Sequence, residues 1–280
     1  MRLGVFVVLA AAACSVLSAD VLPLWEEGRI PSFQLGQSRA ELVCEIPPTR
    51  TTRACLIIAP GGAYTHLAWE REFVPARDYF LSKGLTVVGL RYRVPRPEGL
   101  PKHATALQDA QRAIRLVRAN AAVWDLDPDR IGMMGFSAGG HLAMLAAFSS
   151  TSPSYSPVDE KDSLPCRLNF AIPVYPAYVL ADAMEEPNPN RGNDLSVGFD
   201  PALLFDSSSP PACFLHGDAD SYTAMGSVRA WLKLRQMGVS AELHVFALEG
   251  HAFFDGAAAG TPAAKWKDRV WEWLVKAGLL

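Results

Sequence analysis

Short apolar runs alternate with longer helical patterns through most of the chain. Each apolar run has five or six residues, a length typical of strands that are buried on both faces. The apolar runs lie at residues 55–59, 85–90, 130–134, 170–174, 211–216 and 241–246, and the helical patterns lie at 73–81, 105–122, 140–147, 228–237 and 264–275. This alternation predicts one mostly parallel sheet that is covered by helices on both faces.

One stretch interrupts the alternation. Residues 176–205 are rich in Pro, Asn and Asp and follow the run 170–174. An excursion of this kind between two core strands can form a cap or a rim over a substrate site, or it can be a solvated loop. The composition of the stretch fits both interpretations.

The turn after the run 130–134 carries the first candidate for chemistry. Gly135-Phe136-Ser137-Ala138-Gly139 has the form G-x-S-x-G and lies where a strand-like run changes into a helical one. Glycines on both sides of Ser137 allow a sharp reversal that exposes its hydroxyl, and the free N–H groups of the new helix point toward the same place. This context predicts that Ser137 is a nucleophile.

A serine nucleophile requires a general base and an orienting carboxylate, and candidates for both follow along the chain. The run 211–216 ends in a loop with Asp218 and Asp220, and the run 241–246 leads to His251 in a glycine-flanked loop. We predict that His251 is the base and Asp220 its carboxylate, and that Asp218 forms the turn. His141 and His216, close to these elements in sequence, are predicted to be packed structural groups.

Acyl transfer also requires N–H donors for the negative charge that develops on the carbonyl oxygen. The N–H of Ala138, directly after the serine, is one predicted donor. The second comes from the loop Pro60-Gly61-Gly62-Ala63-Tyr64 after the run 55–59, in which Gly62 and Ala63 are the predicted donors. A simple tight turn is the alternative interpretation of the glycine pair.

Seven motifs together carry a family resemblance. They are Pro60-Gly61-Gly62-Ala63-Tyr64, Leu90-Arg91-Tyr92-Arg93, Asp109-Ala110-Gln111-Arg112-Ala113, Asp127-Pro128-Asp129-Arg130-Ile131, Gly135-Phe136-Ser137-Ala138-Gly139-Gly140-His141, His216-Gly217-Asp218-Ala219-Asp220 and Gly250-His251-Ala252-Phe253. With them the chain resembles the α/β-hydrolase esterases related to hormone-sensitive lipase, and most closely the bacterial secreted esterases described as acetyl xylan esterase-like or "xylanase B-like" hydrolases. The order serine, aspartate, histidine is that of the α/β-hydrolase triad. The family's triad aspartate is at the second acidic position of H-G-x-x-D, which here is Asp220.

The resemblance implies an α/β-hydrolase fold with a mostly parallel central sheet, helices on both faces, and a small cap or rim insertion after the sixth strand at residues 176–205. It also implies one catalytic domain over residues 20–280, a serine carboxylic-ester hydrolase that uses no cofactor and no metal. Pro60 and Ala63 stand where the wider family has His and a third Gly. A side chain at position 63 narrows the freedom of the backbone in that half of the oxyanion hole.

The substrate implied by the resemblance is a short-chain acyl ester, above all an acetyl ester on plant polysaccharide such as acetylated xylan. Tyr64 and Trp69, beside the loop 60–64, are predicted to line the acyl pocket. A feruloyl or other aryl esterase would need a wider pocket, and a serine peptidase of this fold normally carries a large extra domain, for which we expect no room in this chain. A noncatalytic carbohydrate-binding protein on a hydrolase fold would usually have lost the triad.

The first residues predict export. A signal peptide over residues 1–19, and hence a secreted or periplasmic enzyme, is indicated by one positive charge at Arg2, an apolar core at residues 5–13 and a cleavage site, Leu17-Ser18-Ala19, that ends in small residues. The apolar core is too short to span a membrane. Ala11-Ala12-Ala13-Cys14 loosely resembles a lipoprotein signal, so a lipid anchor at Cys14 is the alternative.

Composition narrows the set of partners. The formal charge of the 280 residues is −3, and loss of Arg2 with the signal peptide would make it −4, so no basic surface for nucleic acid is expected. No later apolar segment is long enough to cross a membrane. The predicted partner is a small-molecule or polysaccharide ester, and the oligomeric state stays open. Cys55 and Cys213 are predicted to be free thiols, zinc spacings are absent, and a Cys44–Cys166 bridge stays open.

Overall fold

A single twisted sheet organises the protein. The computed structural model describes residues 19–181, 194–253 and 259–280, and in these residues the sheet has eight strands. They are β1 (Asp20–Pro23), β2 (Glu41–Glu45), β3 (Cys55–Ala59), β4 (Thr86–Arg91), β5 (Ile131–Phe136), β6 (Phe170–Val174), β7 (Ala212–Gly217) and β8 (Ala241–Phe246), in the spatial order β1-β2-β4-β3-β5-β6-β7-β8. β2 is antiparallel to β1 and β4, and the other neighbouring strands are parallel. The predicted mostly parallel sheet is confirmed.

Helices cover both faces of this sheet, as predicted. The α-helices of the described residues are α1 (Val74–Ser82), α2 (Ala104–Ala119), α3 (Ala138–Phe148), α4 (Met225–Gln236) and α5 (Trp266–Lys276). A π-helix (Trp69–Phe73) leads into α1, and short 3-10 helices lie at Glu160–Ser163 and Ala263–Lys265. One hydrophobic cluster joins the sheet to α2, α3 and α4, and a second joins it to α1 and α5.

The strands are buried on both faces, which explains why their sequences are continuously apolar. In β3, for example, Ile57 belongs to the cluster with α2, α3 and α4, whereas Ile58 belongs to the cluster with α1 and α5. Successive side chains of a strand point to opposite faces, so both faces must be apolar when helices cover both. This burial positions the carboxyl ends of the parallel strands, from which the candidate site is built.

Two strands were missed by the sequence patterns. β1 and β2 are short and carry charged residues at Asp20, Glu41 and Glu45, so neither forms a clear apolar run. They are strands because β2 pairs with the edge of β4 and β1 pairs in turn with β2. The predicted helix 105–122 also ends earlier, at Ala119, and residues 120–125 form turns.

The four described cysteines, Cys44, Cys55, Cys166 and Cys213, are all buried and free. The bridge between Cys44 and Cys166 that the sequence left open is therefore not formed. The predicted signal peptide, including Cys14, lies outside the described residues except for Ala19. In the described ranges, no helix combines the length and the apolar character that a membrane crossing demands.

The insertion predicted at residues 176–205 does follow the sixth strand. Its described parts are 176–181 and 194–205, and residues 182–193 lie outside the described residues. Residues 177–180 are buried, and Leu180 forms an isolated bridge with Phe199. Residues 177–180 are thus packed on the domain, whereas residues 194–196 and Gly198 are exposed to solvent.

Candidate active site

Ser137 lies at the turn between β5 and α3, within the segment 135–139 that we call the elbow. Its φ of 51° is in the left-handed region, which is strained for a residue with a side chain. The turn is too tight for other residues at its glycines: a Cβ on Gly135 would lie 1.9 Å from Gly139 O, and one on Gly139 would lie 2.2 Å from Ala59 O. The backbone therefore holds Ser137 at the carboxyl end of the sheet.

Three side chains that are distant in sequence meet at the elbow. Ser137 Oγ lies 2.8 Å from His251 Nε2, and His251 Nδ1 lies 2.8 Å from Asp220 Oδ2. Asp220 is fully buried and His251 is partly buried. When Nδ1–H donates to the carboxylate, Nε2 is left to accept the proton of the serine hydroxyl. The structure thus brings together the three residues that the sequence singled out as a triad.

Further groups surround the carboxylate of Asp220. The N–H of Tyr222 donates to Oδ1 at 2.7 Å. His216 Nε2 lies 3.2 Å from Oδ2 without the alignment of a true hydrogen bond, while His216 Nδ1 lies 2.8 Å from Ser227 Oγ. Burial by itself would raise the pKa of Asp220, but the close polar contact and charge of His216, together with the hydrogen bond and charge of His251, outweigh it and hold the pKa below its usual range. Asp220 is therefore ionised at neutral pH.

Asp218 is placed apart from this chain of hydrogen bonds. It is exposed, and its Oδ1 accepts the N–H of Leu248 at 2.5 Å. The neighbouring N–H of Ala219 donates to Glu249 O at 3.0 Å. These bonds tie the loop after β7 to the loop that carries His251, and so they hold the two triad loops together.

Residues 60–64, which we call the oxyanion loop, follow β3 and pass beside Ser137. A Cβ on Gly61 would lie only 2.8 Å from Ser137 Cβ. Gly62, Ala63 and Tyr64 have φ angles of 118°, 54° and 59°, so Ala63 adopts a left-handed conformation although it is not glycine. Across the described ranges, neither the Gly62 nor the Ala63 N–H donates to a protein acceptor.

Ala138 supplies the third predicted donor. It is the first residue of α3, and N–H groups in the first turn of a helix have no acceptor within the helix. The N–H of Ser137, by contrast, is bonded to Val174 O at 3.1 Å. As far as the described residues show, the N–H groups of Gly62, Ala63 and Ala138 thus have no protein acceptor and can donate to a ligand oxygen.

Tyr64 and Trp69, the predicted pocket residues, lie in different surroundings. Tyr64 is fully buried, and its hydroxyl lies 3.0 Å from His141 Nδ1. Trp69 is partly buried between Phe73 and Arg91, and the guanidinium of Arg91 lies 4.6 Å from the centre of the Trp69 ring. In this structure Tyr64 supports the oxyanion loop from within the protein, and contact of either residue with substrate stays a prediction.

Sequence patterns gave no sign of Glu72. It lies in the π-helix, it is buried, and one carboxylate oxygen accepts the N–H of Gly61 in a short hydrogen bond. Glu70 and Glu72 both lie in this stretch, and no spacing marks one of them as buried at the site. The partner of Glu72 comes from the fold, so no local signal could have found it.

Two side-chain clusters of the described residues have donor atoms that a metal could use: His103, His141 and Asp200, and Cys213, Glu242 and His244. In the first, His141 Nε2 is already bonded to Asp200 Oδ2 at 2.9 Å, and burial, followed by the charges of His141 and Lys102, lowers the pKa of His103. In the second, His244 Nε2 is bonded to Glu242 Oε1 at 2.9 Å. Each cluster thus has two of its side chains bonded to one another, whereas His103 Nδ1 has no hydrogen-bond partner among the described residues.

Comparison with known proteins adds sequence and structural relatives. The BD-FAE family model matches residues 45–229. The acetylxylan esterase of Xylanibacter ruminicola is 27% identical over 77% of this chain and 44% of its own length, and the esterase LipQ of Mycobacterium tuberculosis is 31% identical over 72% of this chain and 51% of its own length. The chain thus spans about half the length of these curated relatives.

Solved structures resemble nearly the whole chain. The acetyl ester-xyloside bifunctional hydrolase from Caldicellulosiruptor lactoaceticus has a TM-score of 0.79 and 30% identity, with 96% of this chain and 100% of that chain covered. A thermophilic esterase from Thermogutta terrifontis with propionate bound has a TM-score of 0.72 at 24% identity, covering 94% and 95% of the two chains. The second likeness concerns the fold alone.

Proposed function

This chain belongs to the BD-FAE family within the α/β-hydrolase esterases, and from that premise we propose that it is an exported serine carboxylesterase that removes short acyl groups, chiefly acetyl, from a polysaccharide such as xylan. The observation that carries the proposal is the hydrogen-bonded chain Ser137–His251–Asp220 beside three available N–H groups. A nucleophile, its base, an orienting carboxylate and oxyanion donors are the complete set that acyl transfer requires.

The first half of the reaction forms an acyl-enzyme. Ser137 Oγ attacks the ester carbonyl carbon while His251 Nε2 takes the hydroxyl proton, and the ionised carboxylate of Asp220 stabilises the resulting imidazolium. The carbonyl oxygen becomes an anion and accepts hydrogen bonds from the N–H groups of Ala138, Gly62 and Ala63. The intermediate collapses, His251 returns the proton to the alcohol oxygen, and the alcohol leaves.

The second half repeats these steps with water. His251 takes a proton from water, the hydroxide oxygen bonds to the acyl carbon, and the bond to Ser137 Oγ breaks as His251 gives the proton back to it. The free acid is released, and the enzyme returns to its starting state. No further reactant is needed, because the overall change is hydrolysis of one ester bond.

Two kinds of support favour an acetyl ester on carbohydrate. The names of two relatives, an acetylxylan esterase and an acetyl ester-xyloside hydrolase, state this class of substrate for those proteins. Ser137 is 8% exposed, and the rings of Tyr175 and Tyr222 lie about the partly buried His251, with centres 5.1 and 4.8 Å from the imidazole. The buried nucleophile favours a small acyl group, and the partly exposed ring of Tyr222 beside the proton donor suits a sugar alcohol, whereas Tyr175 is fully buried.

The experiment that tests this function compares the wild-type protein with Ser137→Ala on p-nitrophenyl esters from acetate to octanoate, acetylated xylan, methyl ferulate and a peptide. We expect acetate to be turned over fastest, acetate to be released from xylan, and Ser137→Ala to lose about 10⁴-fold or more of kcat. Faster turnover of the ferulate would favour an aryl esterase, and turnover of the peptide a peptidase. Binding of xylan without any ester turnover would favour the noncatalytic alternative.

Export is a separate part of the proposal and has its own test. The support for it is the charge, apolar core and small residues of positions 1–19. When the full chain is produced in a bacterial host, we expect protein in the periplasm or medium that begins at Asp20. A lipid-modified protein that begins at Cys14 would favour a membrane anchor, and an uncleaved cytoplasmic chain would contradict export.

A further inference from the structure

A buried carboxylate contacts the oxyanion loop at the residue before its predicted donors. Glu72 is 6% exposed, and it lies in the π-helix that precedes α1. Its Oε2 accepts the N–H of Gly61, and its Oε1 accepts the hydroxyl of Tyr175 at 3.3 Å. Each carboxylate oxygen therefore has a donor from a different part of the fold.

The Gly61 peptide is wedged between this carboxylate and the nucleophile. A Cβ on Gly61 would lie 2.9 Å from Glu72 Oε2 and 2.8 Å from Ser137 Cβ. Gly61 O accepts the N–H of Ala68 at 3.0 Å, so the peptide groups of Gly61 are bonded on both their N–H and C=O sides. Because peptide groups are rigid planes, the orientation of Gly61 limits where the N–H groups of Gly62 and Ala63 can point.

The position of Glu72 is costly for the fold at neutral pH. Burial raises the pKa of Glu72 to about 7, although the hydrogen bonds from Gly61 and Tyr175 and the charges of His251 and Arg71 lower it. An ionisable group whose charged form is disfavoured by burial reduces stability and is typical of functional sites. π-Helices such as the one that carries Glu72 are also frequent at such sites.

We propose that Glu72 is a positioning residue of the oxyanion hole, whose carboxylate holds the Gly61 peptide so that the Gly62 and Ala63 N–H groups face the oxygen of the tetrahedral intermediate. This inference rests on the proposed esterase function and adds a residue to the machinery of the same site. Glu72 acts through the loop and does not touch the substrate.

A carboxylate suits this position better than an amide. When Glu72 is ionised, both of its oxygens accept hydrogen bonds, one from the Gly61 N–H and one from the Tyr175 hydroxyl, whereas an amide has one acceptor atom and one donor atom. Glutamine at position 72 offers Gly61 N–H a neutral acceptor in place of a charged one, and it can keep the Tyr175 contact only with the direction reversed, its amide donating to the hydroxyl oxygen. It has nearly the same shape, so it perturbs the loop without opening a cavity.

The test compares Glu72→Gln with Glu70→Gln, a matched control that changes an exposed carboxylate on the same π-helix. With p-nitrophenyl acetate at pH 8, where Glu72 is mostly ionised, we expect Glu72→Gln to lower kcat about 10- to 100-fold with KM within about twofold, somewhat less than the loss of a whole oxyanion donor. Affinity for an arylboronic acid, which forms a tetrahedral adduct on a serine nucleophile, should fall in parallel. Glu70→Gln should stay within about twofold of the wild type in both measurements.

Thermal unfolding separates positioning from a purely structural role. At pH 8 we expect the melting temperature of Glu72→Gln to be no lower than that of the wild type, although its kcat is lower. Wild-type kcat and boronate affinity in this variant would overturn the proposal, and so would a loss of kcat that only follows a loss of folded protein. If Glu72→Gln does not fold, Glu72→Asp, whose carboxylate is withdrawn from Gly61, should show the same fall in kcat, and a wild-type rate there would overturn the proposal.

Failure of the esterase function would be seen in a different measurement. Absence of ester turnover in the wild type, or turnover that Ser137→Ala leaves unchanged, contradicts the esterase assignment itself and with it the role of Glu72. In an enzyme whose turnover depends on Ser137, the comparison of Glu72→Gln with Glu70→Gln decides the positioning role alone.

Discussion

The elbow and the oxyanion loop face the same reacting atoms, but they are held in place by different means. The elbow depends on its own backbone, with the left-handed φ of Ser137 and the close approach of Gly135 to Gly139 O. The oxyanion loop depends on side chains that come from elsewhere. Glu72 holds the Gly61 N–H, and the Tyr92 hydroxyl donates to Pro60 O at 2.7 Å.

The difference shows how each region should respond to change. A substitution in the elbow meets backbone atoms, which cannot move without loss of the strand or helix on either side. A substitution at a supporting side chain leaves the backbone path intact and changes only how firmly the loop is oriented. Substitutions in the elbow should therefore lower the stability of the fold, whereas substitutions at the side chains that support the oxyanion loop should lower kcat.

The largest effect that this comparison predicts is that of Gly135→Ala on stability. The new Cβ would lie 1.9 Å from Gly139 O, a clash that only an opening of the turn can relieve. We expect the free energy of unfolding to fall by about 4 kcal/mol or more, measured by denaturant unfolding. Gly198→Ala is the control, because its Cβ would meet nothing within 4 Å. Wild-type stability of Gly135→Ala would show that the elbow is less constrained than the structure indicates.

Glu72→Gln should have the opposite effect on stability, and the effect should depend on pH. The pKa of Glu72 rises from an ordinary 4.5 to about 7 on folding, so between these values the folded protein holds a proton that the unfolded chain releases. The wild type therefore loses stability as pH rises through this range, and the variant does not. The stability of Glu72→Gln relative to wild type should increase by about 2–3 kcal/mol from pH 5 to pH 8.

Denaturant unfolding at the two pH values measures this change, with Glu70→Gln as the control. Glu70 is exposed on the same π-helix, so its substitution should give a difference from wild type that is nearly independent of pH. A pH-independent difference for Glu72→Gln as well would mean that the carboxylate does not titrate between folded and unfolded states as proposed.

Tyr64→Phe, at the other end of the oxyanion loop, should have the smallest effect on stability and on kcat of the substitutions compared here. It removes the hydroxyl that lies 3.0 Å from His141 Nδ1, which costs about 1 kcal/mol of stability. We expect a few-fold lower kcat with KM nearly unchanged, since the loop is less firmly held. Tyr79→Phe, which removes a hydroxyl bonded to Asp268 at 2.6 Å away from the loop, should cost similar stability but leave kcat unchanged.

Much of the fold could be predicted from the chain because the strands are buried on both faces. β3, β6 and β8 begin and end where their apolar runs do, and β4, β5 and β7 differ by one or two residues. The two antiparallel strands could not be found this way. Charged residues in β1 and β2 hide the pattern, and only pairing along the edge of β4 makes these segments strands.

The candidate site likewise contains residues that could be predicted from the chain and one residue that could not. Ser137, Asp220 and His251 could be singled out because each lies in a loop directly after a recognisable strand, and parallel strands bring those loops to one edge. Glu72, which accepts the Gly61 N–H, could not be singled out in this way, because the two residues meet only when the π-helix packs against the oxyanion loop. The 2.8 Å contacts of the triad likewise became visible only in the structure.

The amino-acid sequence alone thus determined the alternation of strands and helices, the family to which it points, and the identity of the residues at the elbow and in the two triad loops. Periodicity, glycine content and motif spacing act over a few residues, so they can be seen in the chain itself. The tertiary structure decided that all four described cysteines are free, that Tyr64 is buried against His141, and that Glu72 holds the oxyanion loop. Such pairings are set by distance in space, and the packing of remote segments decides that distance.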